Sequence, residues 1–126
     1  MTFKMISKKE LIRLMDTGEK FKLVDVLPRE HFDEEHIKGA ISLPVGEIER
    51  KALKVLPDKK EKIVTYCASF ECQASTVAAE KLVKLGYTDV LDYKGGLKEY
   101  KETGRLLEGS LHKEENRPIC SSCYTC

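Results

Sequence analysis

Hydrophobic positions along the chain fall into short apolar segments that alternate with segments of helical periodicity. The apolar segments, rich in β-branched side chains, predict strands at 22–26 (KLVDV), 40–44 (AISLP), 62–66 (KIVTY) and 89–93 (DVLDY). Helices are predicted by capping, periodicity and stop signals at 7–17, 28–35, 45–56, 74–85 and 97–104. This alternation predicts an α/β fold with a mainly parallel central sheet and helices on both faces.

The periodic pattern ends near residue 107, where a polar, aperiodic segment (EGSLHKEENRP) begins. A chain of 126 residues is long enough for one domain with a hydrophobic core and too short for two. We therefore predict one domain over residues 1–107 and a flexible, cysteine-bearing C-terminal tail over residues 108–126.

Charge and hydropathy restrict the location and the partners. Of the residues, 41% are hydrophobic and 34% charged, and the formal net charge is +1 with both signs interspersed. Such a chain lacks a broad basic surface, so we expect neither nucleic acid nor a membrane as a partner. The apolar runs are too short to span a bilayer, and the N-terminus lacks the features of a signal peptide. These features predict a cytoplasmic protein.

One cysteine stands where the most clearly predicted strand gives way to a helix. Cys67 follows the strand at 62–66, in the stretch KIVTYCASFECQASTVAAE. Sites in open α/β sheets form beyond the carboxyl ends of strands, where loop N–H groups and a helix N-terminus favour an anion. Such a position favours a thiolate or a persulfide, and so a reactive sulfur. The alternative is a small buried residue with no chemical role.

A second cysteine, Cys72, lies five residues after Cys67. As a resolving cysteine it would attack a Cys67 persulfide or protect Cys67 as a disulfide. As a packing residue of the loop it would do neither. Spacing does not decide between them, because a disulfide requires a specific geometry.

Three further cysteines close the chain in the segment PICSSCYTC. Two-residue spacing of Cys120, Cys123 and Cys126 lets thiolates converge on one metal, so zinc or an iron–sulfur cluster is one prediction for them. A complete site needs a fourth ligand, for which His112 or another cysteine is available. The alternatives are a mobile thiol arm that takes sulfur from Cys67, or free thiols without a role.

Several segments in order resemble the rhodanese-like domains. They are LVDVLPREHFDEEHIKGAISLP, KIVTYC and AAEKLVKLGYTDVLDYKGGLKEY, within a likeness that spans residues 7 to about 103. The resemblance implies a parallel α/β fold and transfer of sulfane sulfur, without a required cofactor, from a small donor to a thiol or cyanide. It also implies that Cys67 is the nucleophile and persulfide carrier. The expected substrate cradle is the backbone N–H groups of Ala68, Ser69, Phe70, Glu71, Cys72 and Gln73.

The loop after Cys67 departs from the pattern of that family. The usual loop has an arginine after the cysteine, a glycine in its middle and an arginine at its end, where this chain has Ala68, Phe70 and Cys72 or Gln73. The loop is also about two residues longer than in common sulfurtransferases. Loss of fixed positive charge weakens the case for thiosulfate against a persulfide or polysulfide donor. Gln73 at the sixth position after Cys67 also excludes the Cys-x5-Arg chemistry of phosphate- or arsenate-handling relatives.

Other polar residues have structural interpretations. The resemblance makes Asp25 a hydrogen-bond anchor at a strand end, where Leu27 replaces the usual arginine neighbour. His31 and His36 are also predicted to be structural or exposed, because persulfide formation from thiosulfate needs no histidine base. Arg29 and Lys94 are expected to be solvated charges, with added positive charge at the loop mouth as the alternative.

These observations predict a sulfurtransferase that moves sulfur through a Cys67 persulfide from thiosulfate, a persulfide or a polysulfide to a thiol, protein or cyanide acceptor. The chief alternative is a non-enzymatic sulfur-carrier or redox- or metal-sensing module that uses Cys67, Cys72 and the tail cysteines. A Cys67–Cys72 redox switch is the third hypothesis.

Overall fold

A computed structural model describes residues 2–112 of the chain. Its strands are β1 (Lys4–Ile6), β2 (Lys22–Asp25), β3 (His36–Ile37), β4 (Ile41–Ser42), β5 (Ile63–Tyr66), β6 (Val90–Tyr93) and β7 (Leu107–Glu108). Its α-helices are α1 (Lys8–Asp16), α2 (Arg29–Glu34), α3 (Ile48–Val55), α4 (Ala74–Lys84) and α5 (Gly96–Lys101). Short 3-10 turns occur at Val45–Glu47 and Ser110–His112.

Five strands form the central sheet in the order β1-β6-β5-β2-β4. All four pairings are parallel, and β5 lies in the middle between β6 and β2. The carboxyl ends of the three central strands coincide, since Tyr66 pairs with both Asp25 and Tyr93. This confirms the predicted α/β fold and places the residue after β5 at the centre of one sheet edge.

Alternating strand residues divide the core between the two faces of the sheet. Val24 and Ile63 pack with α3 and α4, whereas Leu23 and Val64 pack on the opposite face with α1 and α5. All four side chains are buried. Helices therefore cover both faces, as predicted.

The first helix begins with the capping box that the sequence predicts. The Ser7 hydroxyl accepts the Glu10 N–H at 3.2 Å, and the Glu10 carboxylate accepts the Ser7 N–H at 3.1 Å. Two otherwise unpaired donors are thereby satisfied. Leu11 then anchors the helix against the sheet with no exposed surface.

Three short strands were not predicted from the sequence. β1 is an edge strand in which only Ile6 is buried, so its side chains carry little hydrophobic pattern. β3 and β7 form a separate antiparallel pair, with His36 opposite Glu108 and Ile37 opposite Leu107. The pair crosses the expected boundary at residue 107, and the predicted cysteine tail otherwise falls largely outside the described residues.

Two further observations concern the remaining predictions. Among residues 2–112, no helix has both the length and the apolar character needed to cross a bilayer. Cys120, Cys123 and Cys126 lie outside the described residues, so the zinc or iron–sulfur site remains a prediction.

Candidate active site

Cys67 directly follows β5, at the carboxyl edge of the sheet, and its side chain has no exposed surface. Its carbonyl accepts the Leu97 N–H at 2.8 Å, and the carbonyl of Ala68 accepts the Lys98 N–H at 2.8 Å. The first turn of α5 therefore fixes the backbone on which the sulfur is mounted. β5 thus positions Cys67, and hydrogen bonds from α5 hold the backbone of Cys67 and Ala68 in place.

Gly96 makes this close approach feasible. Its φ is +70°, in the left-handed region, and a Cβ atom there would lie 2.6 Å from the Cys67 carbonyl oxygen and 2.8 Å from the Ser69 nitrogen. Both contacts are with backbone, which does not move aside easily. The glycine thus serves the geometry of the loop after Cys67, a role that its place in a glycine pair did not by itself reveal.

The loop folds back through a turn after Cys67. The N–H of Cys72 donates to the Ser69 carbonyl at 3.0 Å, and the Ser69 hydroxyl donates to the Glu71 carboxylate at 3.0 Å. Phe70 stands at the tip with 67% of its side chain exposed. Of the expected cradle donors, the Cys72 N–H is therefore used within the loop, and Gln73 forms the N-terminal boundary of α4.

The turn brings the two cysteines together. The Cys67 thiol donates to the Cys72 carbonyl oxygen at 3.4 Å, and the two thiol groups are close enough to shift each other's pKa. The N–H groups of Ala68 and Ala74 point to the Cys72 sulfur, whereas the N–H of Ser75 points to Cys67. Ala74 and Ser75 were missed as donors because they belong to the first turn of α4, beyond the predicted loop.

The two thiols have pKa values shifted in opposite directions. Burial raises the pKa of Cys67, and the hydrogen bond with Cys72 adds to that shift, while the hydroxyl and N–H of Ser75 oppose it. Burial also acts to raise the pKa of Cys72, but hydrogen bonds from Cys67, Ala74 and Ala68 lower it overall. The sequence led us to expect that loop N–H groups favour a Cys67 thiolate. Only the N–H of Ser75, in the first turn of α4, does so, and burial outweighs its effect on the pKa.

Lys94 is part of the site and not a solvated charge. Its ammonium group donates to the Cys72 carbonyl at 2.7 Å, contributes to lowering the pKa of Cys72, and lies 5.7 Å from the centre of the Phe70 ring. Arg29, in contrast, pairs with Glu47 at 3.2 Å. Lys94 therefore supplies positive charge to a loop that contains no arginine or lysine of its own.

Asp25 ends β2 beside the site and has structural contacts. Its Oδ1 accepts the Leu27 N–H at 2.9 Å, and its backbone carbonyl accepts the Leu43 N–H at 2.9 Å. Burial raises its pKa, while the hydrogen bonds from Leu27 and from the Tyr66 hydroxyl oppose the shift. Tyr66 in turn accepts the Ile37 N–H at 3.0 Å, so Asp25 and Tyr66 connect β2, β5 and β3.

Neither histidine reaches the sulfurs through any contact of the described residues. His36 stacks on Phe32 with a centroid distance of 3.8 Å, and its Nδ1 lies 2.7 Å from the Phe32 carbonyl. Its Nε2 is 3.4 Å from the Glu108 carboxylate across the β3–β7 pair. His31 borders a cleft of about 320 Å³ that Ala68, Ser69 and Lys98 also line. This cleft gives a small molecule access to the side of the loop.

The sequence matches the model of the Rhodanese-like domain over residues 7–103. The chain belongs to the rhodanese-like domain family. A rhodanese-like protein similar to it is the thiosulfate sulfurtransferase PspE of Escherichia coli, with 36% identity over 76 residues, 60% of this chain and 70% of PspE. The BH2092 protein of Bacillus halodurans has a similar crystal structure, with a TM-score of 0.78 and 32% identity over 87% of this chain and 79% of that one.

Rhodanese-like sequence also occurs as part of larger proteins. The HTH-type transcriptional regulator Rv0324 of Mycobacterium tuberculosis is 37% identical over 67 residues, which are 53% of this chain and 28% of the regulator. This chain therefore resembles only one segment of that protein. The comparisons support sulfur transfer, with a sulfur donor and an acceptor, at the level of the family.

Proposed function

We propose that this protein is a rhodanese-type sulfurtransferase that carries sulfane sulfur as a persulfide on Cys67. The observation that carries the proposal is the place of Cys67 at the end of the central strand. There a loop clamped by α5 surrounds the sulfur, and N–H groups of Ala68, Ala74 and Ser75 face the two loop thiols. Fixed N–H groups stabilise negative charge on sulfur without a metal or an organic cofactor.

The transfer takes place in two displacements. The Cys67 thiolate forms a bond to the outer sulfur of the donor, the bond between that sulfur and the rest of the donor breaks, and the rest leaves with the electron pair as sulfite, a thiolate or a shortened polysulfide. A thiolate acceptor then attacks the outer sulfur of the persulfide, and Cys67 leaves as a thiolate. The attacking form of Cys67 is the thiolate, which the N–H of Ser75 favours and burial disfavours, and its proton is lost to solvent.

The charges around the loop favour a persulfide or polysulfide donor over thiosulfate. Residues 67–73 contain no cationic side chain, and the ammonium group of Lys94 is held by the Cys72 carbonyl. The sulfonate of thiosulfate is best bound by a charged bidentate group, which this loop does not supply. A polysulfide presents polarisable sulfur and less localised charge, so backbone N–H groups suffice for it.

The acceptor side is the cleft beside Ala68 and Ser69. Its volume of about 320 Å³ suits a small thiol, and Lys98 and Lys101 line it together with Glu35. Because Lys101 is paired with Glu35 at 2.6 Å, a thiol with carboxylate groups would meet the ammonium group of Lys98 as it approaches the loop. A protein acceptor would present an extended cysteine-containing segment to the same opening. Both acceptors are consistent with a cytoplasmic protein that works in a reducing compartment.

Mass spectrometry of the reduced protein tests the proposal. The protein and its Cys67→Ser variant are exposed anaerobically to thiosulfate or to polysulfide, alkylated and digested. Trypsin releases residues 63–81 as one peptide that contains both loop cysteines, and cleavage after Glu71 then separates Cys67 from Cys72. We expect one added sulfur on the Cys67 fragment with polysulfide, a lower yield with thiosulfate, and none on the corresponding fragment of the Cys67→Ser variant.

Added sulfur on the Cys72 fragment alone, or no added sulfur with either donor in wild type and in Cys72→Ser alike, would contradict the proposal. Transfer to a thiol is measured separately, as repeated turnover with a low-molecular-weight thiol. Loading without turnover would identify a sulfur carrier instead of an enzyme.

A further inference from the structure

The position of the second thiol has no explanation in a simple sulfurtransferase cycle. The Cys72 sulfur receives the N–H groups of Ala68 and Ala74, and so occupies the kind of cradle that a persulfide anion would use. The Cys67 sulfur lies 3.4 Å from the carbonyl oxygen of Cys72. Both cysteines are free, Cys67 being buried and Cys72 partly exposed.

We propose that Cys72 is a resolving nucleophile, which converts the Cys67 persulfide into a Cys67–Cys72 disulfide and releases the carried sulfur as hydrosulfide. The inference rests on the proposed function, because it begins from the Cys67 persulfide. It adds a second activity, the reduction of sulfane sulfur to hydrosulfide at the expense of two cysteine thiols.

The step balances in atoms and electrons. The Cys72 thiolate attacks the inner sulfur of Cys67–S–SH, forming the bond between the two cysteine sulfurs. The bond between the inner and the outer sulfur breaks, and the outer sulfur leaves as HS⁻ with the electron pair and its own proton. That sulfur gains two electrons and the two cysteine sulfurs lose one each. Two equivalents of an external thiol then reduce the disulfide and restore both cysteines.

Contacts of the loop support Cys72 in this role. The turn from Ser69 to Cys72 holds the two sulfurs in one small volume, and Lys94 fixes the Cys72 carbonyl at 2.7 Å. The N–H groups that face the Cys72 sulfur stabilise it as a thiolate, which is the attacking form. The attacked atom is the inner sulfur, that of Cys67 itself, which lies 3.4 Å from the carbonyl oxygen of Cys72 and so beside the attacking residue.

The test follows the fate of a preformed persulfide in the full chain. Wild type and Cys72→Ser are loaded with polysulfide under anaerobic conditions and desalted, and released hydrosulfide is measured over time. Samples are alkylated and digested without reductant by trypsin and by cleavage after Glu71. The cleaved halves separate unless a Cys67–Cys72 disulfide joins them.

For wild type we expect persulfide loss, hydrosulfide release in equal amount and joined halves. For Cys72→Ser we expect a persulfide that lasts roughly tenfold longer or more, with no disulfide between the halves. A background in which Cys120, Cys123 and Cys126 are replaced by serine is the matched control, because tail thiols are alternative attackers. The wild-type loop should behave identically in that background.

Three outcomes overturn the inference in distinguishable ways. Equal persulfide lifetimes in wild type and Cys72→Ser, with separate halves in both, reject the resolving role while the proposed function stands. Absence of a persulfide in both proteins rejects the proposed function and the inference together. Joined halves that disappear in the tail-serine background would assign the attack to the tail cysteines and also reject Cys72.

Discussion

Two neighbouring strands of the central sheet end at the same edge, each with a buried ionisable group, but the two groups have different contacts. Asp25 ends β2 and Cys67 follows β5, and the register pairs Asp25 with Tyr66, the residue before Cys67. Both side chains have no exposed surface, and burial raises the pKa of each. Burial and position on the sheet therefore do not distinguish Asp25, a structural group, from Cys67, the proposed nucleophile.

The difference lies in what faces the functional atoms. The Asp25 carboxylate accepts the Leu27 N–H at 2.9 Å and its backbone carbonyl accepts the Leu43 N–H at 2.9 Å, and both donors are backbone groups without further chemistry to perform. Cys67 faces a second thiol on a loop whose tip is exposed at Phe70. Cys67, the proposed nucleophile, therefore differs from Asp25 in having a second thiol beside it and a surface loop around it.

Replacing Cys67 by serine and Asp25 by asparagine should give the largest difference in sulfur transfer between the two strand ends. Cys67→Ser removes the proposed nucleophile, so sulfur transfer should fall by at least about 1000-fold. Asp25→Asn keeps the acceptor for Leu27 and should leave transfer within about threefold of wild type. Turnover with polysulfide and a thiol measures both. Comparable losses in the two variants would show that Asp25 takes part in the chemistry.

The clamp on the Cys67 backbone should be the next most sensitive feature. Gly96→Ala places a Cβ atom 2.6 Å from the Cys67 carbonyl oxygen, on a backbone with φ of +70°. We expect a loss of about 2–4 kcal/mol in the free energy of unfolding, together with reduced transfer activity. Denaturant unfolding and turnover measure the two effects.

Gly104→Ala is the matched control for that experiment. Gly104 has nearly the same φ, +73°, but an added Cβ would have no atom within 4 Å. It should therefore lose only about 1 kcal/mol, from backbone strain alone, and keep its activity. Equal effects at the two positions would indicate that contact with the Cys67 loop contributes nothing.

The sequence predicted some elements of the fold and missed others. The pattern of apolar segments predicted β2, β4, β5 and β6 and all five α-helices, because most of these elements bury at least one face. It did not predict β1, β3 or β7, which are held mainly by backbone pairing to distant residues. Pairing of this kind leaves little trace in the order of side chains.

The candidate site was foreseen to a similar extent. Cys67 and Cys72 were identified because they lie at a strand end and in the loop that follows. Gly96 and Lys94 were not assigned their contacts, because these depend on the parallel crossover that returns β6 beside β5. The direction of the Cys67 pKa shift was also wrong, since the depth of burial is a property of the packed chain.

Within the loop itself, the two thiols should differ in reactivity at neutral pH. The lowered pKa of Cys72 and its partial exposure favour its thiolate, whereas burial and the raised pKa protect Cys67. With limiting iodoacetamide at about pH 7, Cys72 should be alkylated roughly tenfold faster than Cys67. The fragments on either side of Glu71 report each rate separately. Faster alkylation of Cys67 would show that the loop N–H groups stabilise the thiolate of Cys67 and not that of Cys72.

The smallest expected effect is the pH dependence of the free energy of unfolding that the buried Asp25 carboxyl causes. Because the pKa of Asp25 is raised from 3.8, the folded state binds its proton more tightly than the unfolded state does. The resulting stability is fully present below about pH 4 and is lost as the pH rises through the folded pKa. Asp25→Asn has no proton to lose, so relative to wild type it should gain up to about 1 kcal/mol between about pH 4 and 7.

Denaturant unfolding of wild type and Asp25→Asn across that pH range measures this gain. Asp33→Asn, which removes an exposed carboxylate, controls for the change in net charge. If the stability gained by Asp25→Asn over wild type grows as the pH falls, the pKa of Asp25 is lowered in the folded state and not raised. The Asp25 carboxylate would then stabilise the strand end through its hydrogen bonds by more than its burial costs, and the two ends of β2 and β5 would differ in charge preference as well as in chemistry.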